Sequence, residues 1–401
     1  MKHVVKWVWF NIAGRALTLV PQKTPTLLSG AGSLKLVPSE LSVHKAKKPL
    51  IVTDATLVRA GVVGKLEAIL ADAGLPYAVF DGVLPDPSFE ICGKGLAVLK
   101  ENSCDSVIAL GGGSVMDAGK LIRMGATHRK NLEKFAGLLK CRNGGLPFIC
   151  IPTTAGTGSE ATAVAVVTDT KKHRKITVLD PRIPPDTAIL DPTLTTGLPP
   201  AMTAATGIDA LTHAVEAYTN TLHYSDVDVQ SIEAVRLIFS NLREACSNGT
   251  NIQAREAMLR ASHLAGRAFT RGFVGYVHAV AHRFGERYHV PHGLANAIAL
   301  PYFLDLYEDV CRDRLADLGA AAGVCGERKR GDEAACAHAF IEAVRKLNTD
   351  IGIPEKASFL KEEDIAGIVT DALREAHCTP YPVPLVLGAD ELETVVRAMR
   401  G

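Results

Sequence analysis

The chain has 401 residues, and its 44 Lys and Arg side chains almost balance 43 Asp and Glu side chains. Hydrophobic residues make up 47% of it, a globular composition that excludes a fibrous or disordered chain. Because a single core stops growing near roughly 250–300 residues, this length predicts about two domains. A net charge of +1 provides no field for nucleic acid or anionic lipid. The composition therefore favours a protein that acts on a small molecule.

The nine cysteines and the N-terminal segment bear on the compartment of the protein. Nine is an odd number and no CxxC pair occurs, which favours reduced thiols in a cytoplasmic protein. No apolar run approaches the roughly 18–20 residues of a membrane span. The first 39 residues contain no acid, a weak feature of targeting segments. Since no small-residue cleavage site follows, we expect an ordinary strand or hairpin around residues 4–10.

The first half of the chain alternates short apolar runs with stretches of helical periodicity. Such alternation predicts an α/β domain with a mostly parallel, Rossmann-like sheet, and ligands bound beyond the carboxyl ends of its strands. The predicted strands are 48–54, 77–80, 106–110 and 147–152, and the predicted helices are 62–73, 89–102 and 115–124. Residues 161–167 and 176–179 also have an extended pattern.

The pattern changes around residues 184–185 and over residues 191–200, where proline, glycine and threonine cluster. Beyond these residues the periodicity is almost entirely helical, as in 201–218, 226–240, 253–267 and 293–307. We therefore place a domain boundary near residue 192. Residues 1–192 form the predicted α/β domain and residues 193–401 a predicted all-helical domain.

Two loops in the α/β half have the composition of phosphate-binding loops. The first contains Gly111, Gly112, Gly113 and Ser114 between a predicted strand and a predicted helix, where backbone N–H groups and the helix dipole favour an anion. Taken alone, it is equally compatible with a tight structural turn. The second loop, residues 152–162, is rich in Thr and Gly and also follows a strand. Two such loops on one sheet favour a bound dinucleotide.

Asp54 ends an earlier predicted strand. A carboxylate in this position accepts hydrogen bonds from ribose hydroxyls and repels a 2′-phosphate. It also suits the N-cap of the helix that follows. The two interpretations are compatible, and both stay open on the sequence.

The helical half contains a pattern typical of a metal site. Asp209 with His213, and His278 with His282, are i, i+4 pairs, so each pair lies on one face of a helix. His292 follows at a predicted turn or helix start. A single histidine on an apolar helix is usually a core residue, but this combination predicts a divalent transition metal such as Fe²⁺ or Zn²⁺. A surplus histidine beside it suits acid–base chemistry.

With these residues the sequence resembles the iron-containing (group III) alcohol dehydrogenase family, from about Leu28 to the C-terminus. The resemblance implies a nucleotide-binding α/β domain, residues 1–192, followed by a helical, metal-binding catalytic domain, residues 193–401. The segments that carry it are Gly111-Gly-Gly-Ser-Val-Met-Asp117, Pro152-Thr-Thr-Ala-Gly-Thr-Gly-Ser-Glu160, Thr206-Gly-Ile-Asp-Ala-Leu-Thr-His-Ala-Val-Glu216, Gly275-Tyr-Val-His-Ala-Val-Ala-His282 and Pro291-His-Gly-Leu-Ala-Asn296.

The family's functional residues map onto matching positions of this chain. The implied metal ligands are Asp209, His213, His278 and His292, and His282 is the implied catalytic histidine beside the nicotinamide and the substrate. Asp54 matches the position associated with choosing NAD over NADP. The implied cofactor contacts are Gly111, Gly112, Gly113, Ser114, Thr153, Thr154, Thr157, Ser159 and Lys175.

The resemblance implies reversible hydride transfer between NAD and a primary or small secondary alcohol, with the metal as Lewis acid. It implies Fe²⁺, with Zn²⁺ an alternative, and a homodimer or larger homo-oligomer. Two other functions share the architecture. A zinc-dependent, glycerol-type polyol dehydrogenase tends to use three protein ligands, and a dehydroquinate-synthase-like lyase uses a glutamate ligand and a basic cluster for a phosphorylated substrate.

Overall fold

The structure is a computed structural model that describes residues 23–128, 131–141, 143–170, 174–326, 331–379 and 381–401, together with residues 12 and 15. The strand or hairpin predicted around residues 4–10 lies outside these residues. The chain divides into two compact units, of which one is Pro21–Leu198 and the other contains Pro199–Gly401. The boundary predicted at residue 192 coincides with a short 3-10 turn, Pro192–Leu194.

The unit Pro21–Leu198 is built on a six-stranded sheet in which every neighbouring pair of strands is parallel. Its strand order is β1-β9-β6-β4-β2-β3. A separate three-stranded sheet has the order β5-β8-β7, with β7 and β8 antiparallel. The strands are β1 (Thr26–Ser29), β2 (Pro49–Val52), β3 (Ala78–Phe80), β4 (Ser106–Gly111), β5 (Gly137–Leu138), β6 (Phe148–Pro152), β7 (Val164–Asp169), β8 (Arg174–Leu179) and β9 (Thr187–Leu190).

Helices cover both faces of the six-stranded sheet. Successive strand residues point to opposite faces, so Leu50 and Val52 enter one apolar core while Ile51 enters the other. The first core includes residues of α4 and α5, and the second includes residues of α1 and α3. The helices of this unit are α1 (Val37–Val43), α2 (Ala55–Arg59), α3 (Val62–Asp72), α4 (Phe89–Glu101) and α5 (Gly113–Thr127).

The described residues of Pro199–Gly401 form a helical unit. Its first helix, α6, begins with Pro200 at a position where the missing N–H costs nothing, and most of its length is buried. The helices are α6 (Pro200–Thr219), α7 (Ser225–Ser247), α8 (Ile252–Gly272), α9 (Tyr276–Tyr288), α10 (His292–Tyr307), α11 (Arg312–Ala321), α12 (Glu333–Asp350), α13 (Ile365–Cys378) and α14 (Ala389–Ala398). Helix α6 packs against α7, α8 and α10, and α9 packs against α10 and α13.

The predicted fold class is confirmed: an α/β region with a parallel sheet precedes a helical region. The extended segments predicted after residue 160 do form strands, but in the separate three-stranded sheet. Two strands of the main sheet, β1 and β9, were not predicted. Each has only four residues, and β9 lies between the two proline-containing stretches near the predicted boundary.

Among the described residues, none of the helices combines the length and apolar character that a membrane crossing requires. None of the nine cysteines, all of which lie in the described ranges, is paired with another.

Candidate active site

The two predicted phosphate loops follow neighbouring strands. Strands β4 and β6 are parallel, with Gly111 beside Pro152, so the segments after them leave the sheet at the same edge. The N–H of Thr153 donates to the carbonyl oxygen of Gly111 at 3.1 Å and joins the starts of the two loops. Asp54 follows β2, which is the neighbour of β4 on its other side. The structure thus brings three predicted cofactor segments to the carboxyl ends of three adjacent strands.

Glycine allows the two loops to lie against each other. A Cβ atom added at Gly113 would lie 2.7 Å from Cγ2 of Thr157, closer than atoms in contact approach. One added at Gly112 would lie 3.5 Å from the hydroxyl of Thr154. Helix α5 begins at Gly113 and no side chain caps it, so the N–H groups of its first turn, which includes Ser114, have no partner within the helix. Loop and helix end fit a phosphate group.

A buried lysine fixes the second loop to helix α5. The Lys120 ammonium is fully buried and donates to the hydroxyls of Ser159 at 2.7 Å and Thr162 at 2.9 Å, and to the carbonyl oxygen of Val164 at 2.6 Å. The Ser159 hydroxyl in turn donates to Asp117 at 2.6 Å. The hydroxyl of Ser159 is therefore committed to this network, and its contact with a cofactor stays a prediction.

Asp54 is the N-cap of helix α2, as one of its two interpretations on the sequence predicted. Its Oδ1 accepts hydrogen bonds from the N–H groups of Thr56 at 2.8 Å and Leu57 at 3.0 Å. Since both bonds use Oδ1, the cap leaves Oδ2 for a ribose hydroxyl. The ribose contact stays a prediction.

Lys175, the remaining predicted cofactor residue, lies on β8 of the three-stranded sheet. Its ammonium pairs with the carboxylate of Asp86 at 2.7 Å. Asp86 has a φ of 53°, a left-handed backbone conformation that residues other than glycine seldom adopt. A cofactor contact of Lys175 would therefore compete with this ion pair.

Three of the four predicted metal ligands come together in the helical unit. Asp209 on α6, His278 on α9 and His292 at the start of α10 each offer one ligand atom, and all three atoms lie within 4.8 Å of one another. The Oδ1 atom of Asp209 lies 3.5 Å from Nε2 of His292 and 3.8 Å from Nε2 of His278. Asp209 and His278 are buried, and His292 is half-buried. We call these three residues the metal group.

His213, the fourth predicted ligand, lies beside the metal group but is not part of it. Its ring is stacked on the ring of His278, with the ring centres 4.5 Å apart, and on that of Phe269 at 4.2 Å. His213 is buried one helical turn after Asp209 on α6. A role for His213 as a ligand stays a prediction.

The side chain of Asn296 contacts all three members of the metal group. Its Nδ2 donates to Asp209 Oδ1 at 2.7 Å and lies 3.3 Å from Nε2 of His278 and 3.2 Å from Nε2 of His292. One electropositive amide thus faces three lone-pair atoms, the arrangement that a cation requires of its ligands. The Oδ1 atom of Asn296 is buried and has no hydrogen-bond partner among the described residues. The donors fit a divalent transition metal.

Glycine also positions the helix that carries His292. A Cβ atom added at Gly293 would lie 2.2 Å from the carbonyl oxygen of Ala205 on α6. Only glycine therefore allows the start of α10 to approach α6, which carries Asp209. Gly293 of the Pro291-His-Gly motif is thus required by the packing that brings His292 towards Asp209.

The protonation states of the metal group follow from burial and nearby charge. Burial lowers the pKa of His278 to about 4, so its imidazole is neutral at pH 7, which is the form that binds a metal. Burial alone would raise the pKa of Asp209, but the surrounding histidines and the hydrogen bond from Asn296 lower it below its ordinary value. A neutral imidazole and an ionised carboxylate are the states that metal binding needs.

Glu216 supports His278 from the side away from Asp209. Its Oε2 lies 2.6 Å from Nδ1 of His278, and its Oε1 accepts the N–H of Val277 at 2.9 Å. Burial raises the pKa of Glu216 to about 7. A carboxylate on the second nitrogen of a metal-binding imidazole orients the ring and increases its basicity.

His282, the predicted catalytic histidine, lies one turn after His278 on α9 and outside the metal group. Its ring is stacked on that of His292, with centres 5.1 Å apart. Its Nδ1 lies 2.7 Å from Oε1 of Glu375 on α13. The structure thus places His282 against the metal group, with a carboxylate on its other nitrogen.

The sequence interpretation missed Glu216, Asn296 and Glu375. Glu216 lies seven residues after Asp209 on α6, and Asn296 lies four residues after His292 on α10, so the helical spacing that identified the ligands also pointed to both. Glu375 is 93 residues from its partner His282 and on another helix. No local pattern pointed to it.

Comparison with known proteins agrees with this architecture. Residues 24–192 match the family model described as iron-containing alcohol dehydrogenase, and residues 203–398 match the C-terminal model of the Fe-containing alcohol dehydrogenase family. The chain is 40% identical over 358 residues to a 1,3-propanediol dehydrogenase of Klebsiella pneumoniae, covering 88% of this chain and 92% of that protein.

Two further relatives extend the comparison. An NAD-dependent methanol dehydrogenase of Bacillus methanolicus is 37% identical, with 88% of this chain and 93% of that protein covered. The crystal structure of a 1,3-propanediol oxidoreductase superposes with a TM-score of 0.90 at 37% identity, covering 94% of this chain and 99% of that one.

These matches define the class of the protein as an alcohol oxidoreductase. The chain belongs to the iron-containing alcohol dehydrogenase family. The matches favour neither the lyase nor the zinc polyol enzyme that the sequence left open.

Proposed function

We propose that the protein catalyses the reversible NAD-linked oxidation of a short primary alcohol or diol, with Fe²⁺ held by Asp209, His213, His278 and His292. The observation that carries this proposal is the metal group, whose three ligand atoms all contact the buried amide nitrogen of Asn296. The names of the relatives support short alcohols and diols as substrates and NAD as the cofactor.

The bound ion would supply Lewis-acid polarisation of the alcohol oxygen. The chain's own residues have separate tasks. Glu216 orients the ring of His278 through Nδ1, and Asn296 fixes the carboxylate of Asp209 by hydrogen bonding to Oδ1. The glycine loop at residues 111–114 binds the pyrophosphate through backbone N–H groups, and His282 serves as the acid–base residue.

The test is NAD reduction by protein purified anaerobically, stripped of metal and reloaded with Fe²⁺ or Zn²⁺, on a panel of primary alcohols and diols. We expect turnover with Fe²⁺ and none with His278→Ala. The matched control is His338→Ala, which removes an exposed histidine from α12 and should behave as wild type. Absence of turnover on every alcohol with either metal would contradict the proposal.

Asp54 provides the test of cofactor choice. In Asp54→Asn the amide oxygen still caps helix α2, because Asn and Asp cap equally well. The charge that repels a 2′-phosphate is lost, so we expect the ratio of kcat/KM for NADP to that for NAD to rise about tenfold. Initial rates with both cofactors at constant ionic strength measure this ratio. An unchanged ratio would remove Asp54 from the cofactor site.

Cytoplasmic location and a homo-oligomeric state belong to the same proposal. Light scattering of the purified protein across a concentration series tests the second. A monomer at micromolar concentration that turns over at the full rate would contradict it.

A further inference from the structure

Two histidines on helix α9 each meet a glutamate from another helix. His278 meets Glu216 of α6, and His282 meets Glu375 of α13, in both cases at Nδ1 and at 2.6 and 2.7 Å. Only His278 belongs to the metal group. The Glu375 contact therefore requires an explanation other than metal binding.

The carboxylate of Glu375 is held on both oxygens. Its Oε1 lies 2.7 Å from Nδ1 of His282 and accepts the hydroxyl of Tyr381 at 2.9 Å. Its Oε2 accepts the guanidinium of Arg283 at 2.7 Å, and Arg283 also pairs with Glu286 at 2.7 Å. The side chain is less than one-fifth exposed. Three donors thus fix the position of one carboxylate.

The charge state of Glu375 determines which ring nitrogen of His282 carries the hydrogen. Burial raises the pKa of Glu375, but the charge of His282, its hydrogen bond and the charge of Arg283 together lower it to about 2. Glu375 is therefore ionised at neutral pH, and an ionised carboxylate only accepts hydrogen bonds. The hydrogen between the two residues therefore lies on Nδ1 of His282 whether the ring is charged or neutral, and the neutral ring has its lone pair on Nε2.

We propose that Glu375, held by Arg283 and Tyr381, is a positioning residue that fixes His282 as the Nδ1–H tautomer and orients its Nε2 to accept a hydrogen bond from the substrate hydroxyl. This inference rests on the proposed alcohol dehydrogenase function. The two glutamates that contact helix α9 then have different tasks. Glu216 orients the metal ligand His278, and Glu375 orients His282, the histidine proposed to contact the substrate.

The matched variants are Glu375→Gln and Asp371→Asn. Glu375→Gln keeps the shape of the side chain but offers both a donor and an acceptor to His282. Asp371→Asn weakens another ion pair between α9 and α13, in which Arg287 meets Asp371 at 3.3 Å, without contact to His282. A merely structural role of Glu375 in joining the two helices predicts similar effects of the two substitutions.

The first measurement is the nitrogen NMR spectrum of the histidine rings in Zn²⁺-loaded protein labelled with ¹⁵N-histidine, with His282 assigned through His282→Gln. We expect the Nδ1–H tautomer in wild type and in Asp371→Asn, and a mixture of tautomers in Glu375→Gln. The Nε2–H tautomer in wild type would overturn the proposal on its own, whether or not any variant folds.

The second measurement is alcohol-dependent NAD reduction by the Fe²⁺-loaded variants. We expect kcat to fall roughly 10–100-fold in Glu375→Gln, the range known for the loss of hydrogen-bonded partners of metal-binding histidines, with metal content and KM for NAD unchanged. Glu375→Asp, which restores the charge, should recover both tautomer and part of kcat. Equal kcat in Glu375→Gln and wild type would overturn the proposal. If wild type oxidises no alcohol, the proposed function fails, and the NMR spectrum still decides the role of Glu375.

Discussion

The two candidate binding regions use different chemical groups, backbone in one and side chains in the other. At the carboxyl edge of the parallel sheet, backbone groups and glycines dominate: Gly113 packs on Thr157, and helix α5 begins without a side-chain cap. In the helical unit, side chains dominate, and each of His278 and His282 has an acidic partner at Nδ1. One region derives its selectivity from close backbone approach and the other from paired charges.

This difference determines which substitutions impair binding in each region. A site built from backbone tolerates the loss of a side-chain charge but not the addition of a methyl group where loops touch. A site built from buried side chains tolerates little change of charge, because an unpaired buried ion is costly. Isosteric charge changes should therefore damage the metal group, and added methyl groups should damage the sheet edge.

The largest effect is expected for Asp209→Asn. The substitution keeps the shape of the side chain and removes the negative charge of the metal group, so we expect Fe²⁺ affinity to fall roughly 10³-fold or more. Binding of NADH, measured by fluorescence titration, should stay within about twofold of wild type. Chelator competition measures the first quantity. Loss of NADH affinity equal to the loss of iron affinity would remove the distinction between the two regions.

A pH effect follows for Glu375. Its folded-state pKa of about 2 lies below the ordinary value of 4.5, so its stabilisation is complete above pH 4.5 and is lost as pH falls towards 2. This amounts to at most about 3 kcal/mol. The difference in unfolding free energy between metal-free wild type and Glu375→Gln should therefore shrink between pH 6 and pH 3. Urea titrations at both pH values measure it, and a constant difference would contradict the ionised, paired state of Glu375.

A smaller effect is expected for Glu216→Gln. Loss of the carboxylate group that contacts Nδ1 of His278 should lower metal affinity roughly 10–100-fold, as at other metal sites. The matched control is Asp317→Asn, whose carboxylate accepts the hydroxyl of Tyr218 on the same helix α6. Competition with a metal indicator measures both variants. Equal affinities in the two variants would show that Glu216 serves only to join α6 and α9.

The smallest effect is expected for Gly113→Ala. The added methyl group would lie 2.7 Å from the β-branched side chain of Thr157, so the second loop must shift, and we expect the Kd for NADH to rise about tenfold. The control is Gly64→Ala on the exposed face of α3, where no atom lies within 4 Å of the new Cβ. A Kd unchanged by Gly113→Ala would mean that the cofactor binds away from this loop.

Local patterns explain what the sequence could predict. Strands β2, β4 and β6 are short, buried apolar runs, and the glycine loop lies directly after β4, so strand, loop and helix start could be located together. The i, i+4 spacing pointed to two members of the metal group, Asp209 and His278, and His292 followed at a predicted turn or helix start. Both signals depend only on neighbours within a few positions along the chain.

Contacts between distant segments explain what the sequence could not predict. Strand β9 joins the sheet between β1 and β6 although its own sequence lies among prolines, because its partners rather than its composition determine the pairing. Glu375 reaches His282 through the packing of α13 on α9. The need for glycine at position 293 depends on a carbonyl oxygen of another helix. Each of these features appears only when the chain is folded.

The most direct test of the proposed metal site is anomalous diffraction from crystals of the Fe²⁺-loaded protein, measured on both sides of the iron absorption edge. We predict one anomalous peak within coordination distance of Asp209, His278 and His292, with His213 as the fourth ligand. An iron-loaded crystal whose peak lies away from the metal group would contradict the proposed metal site.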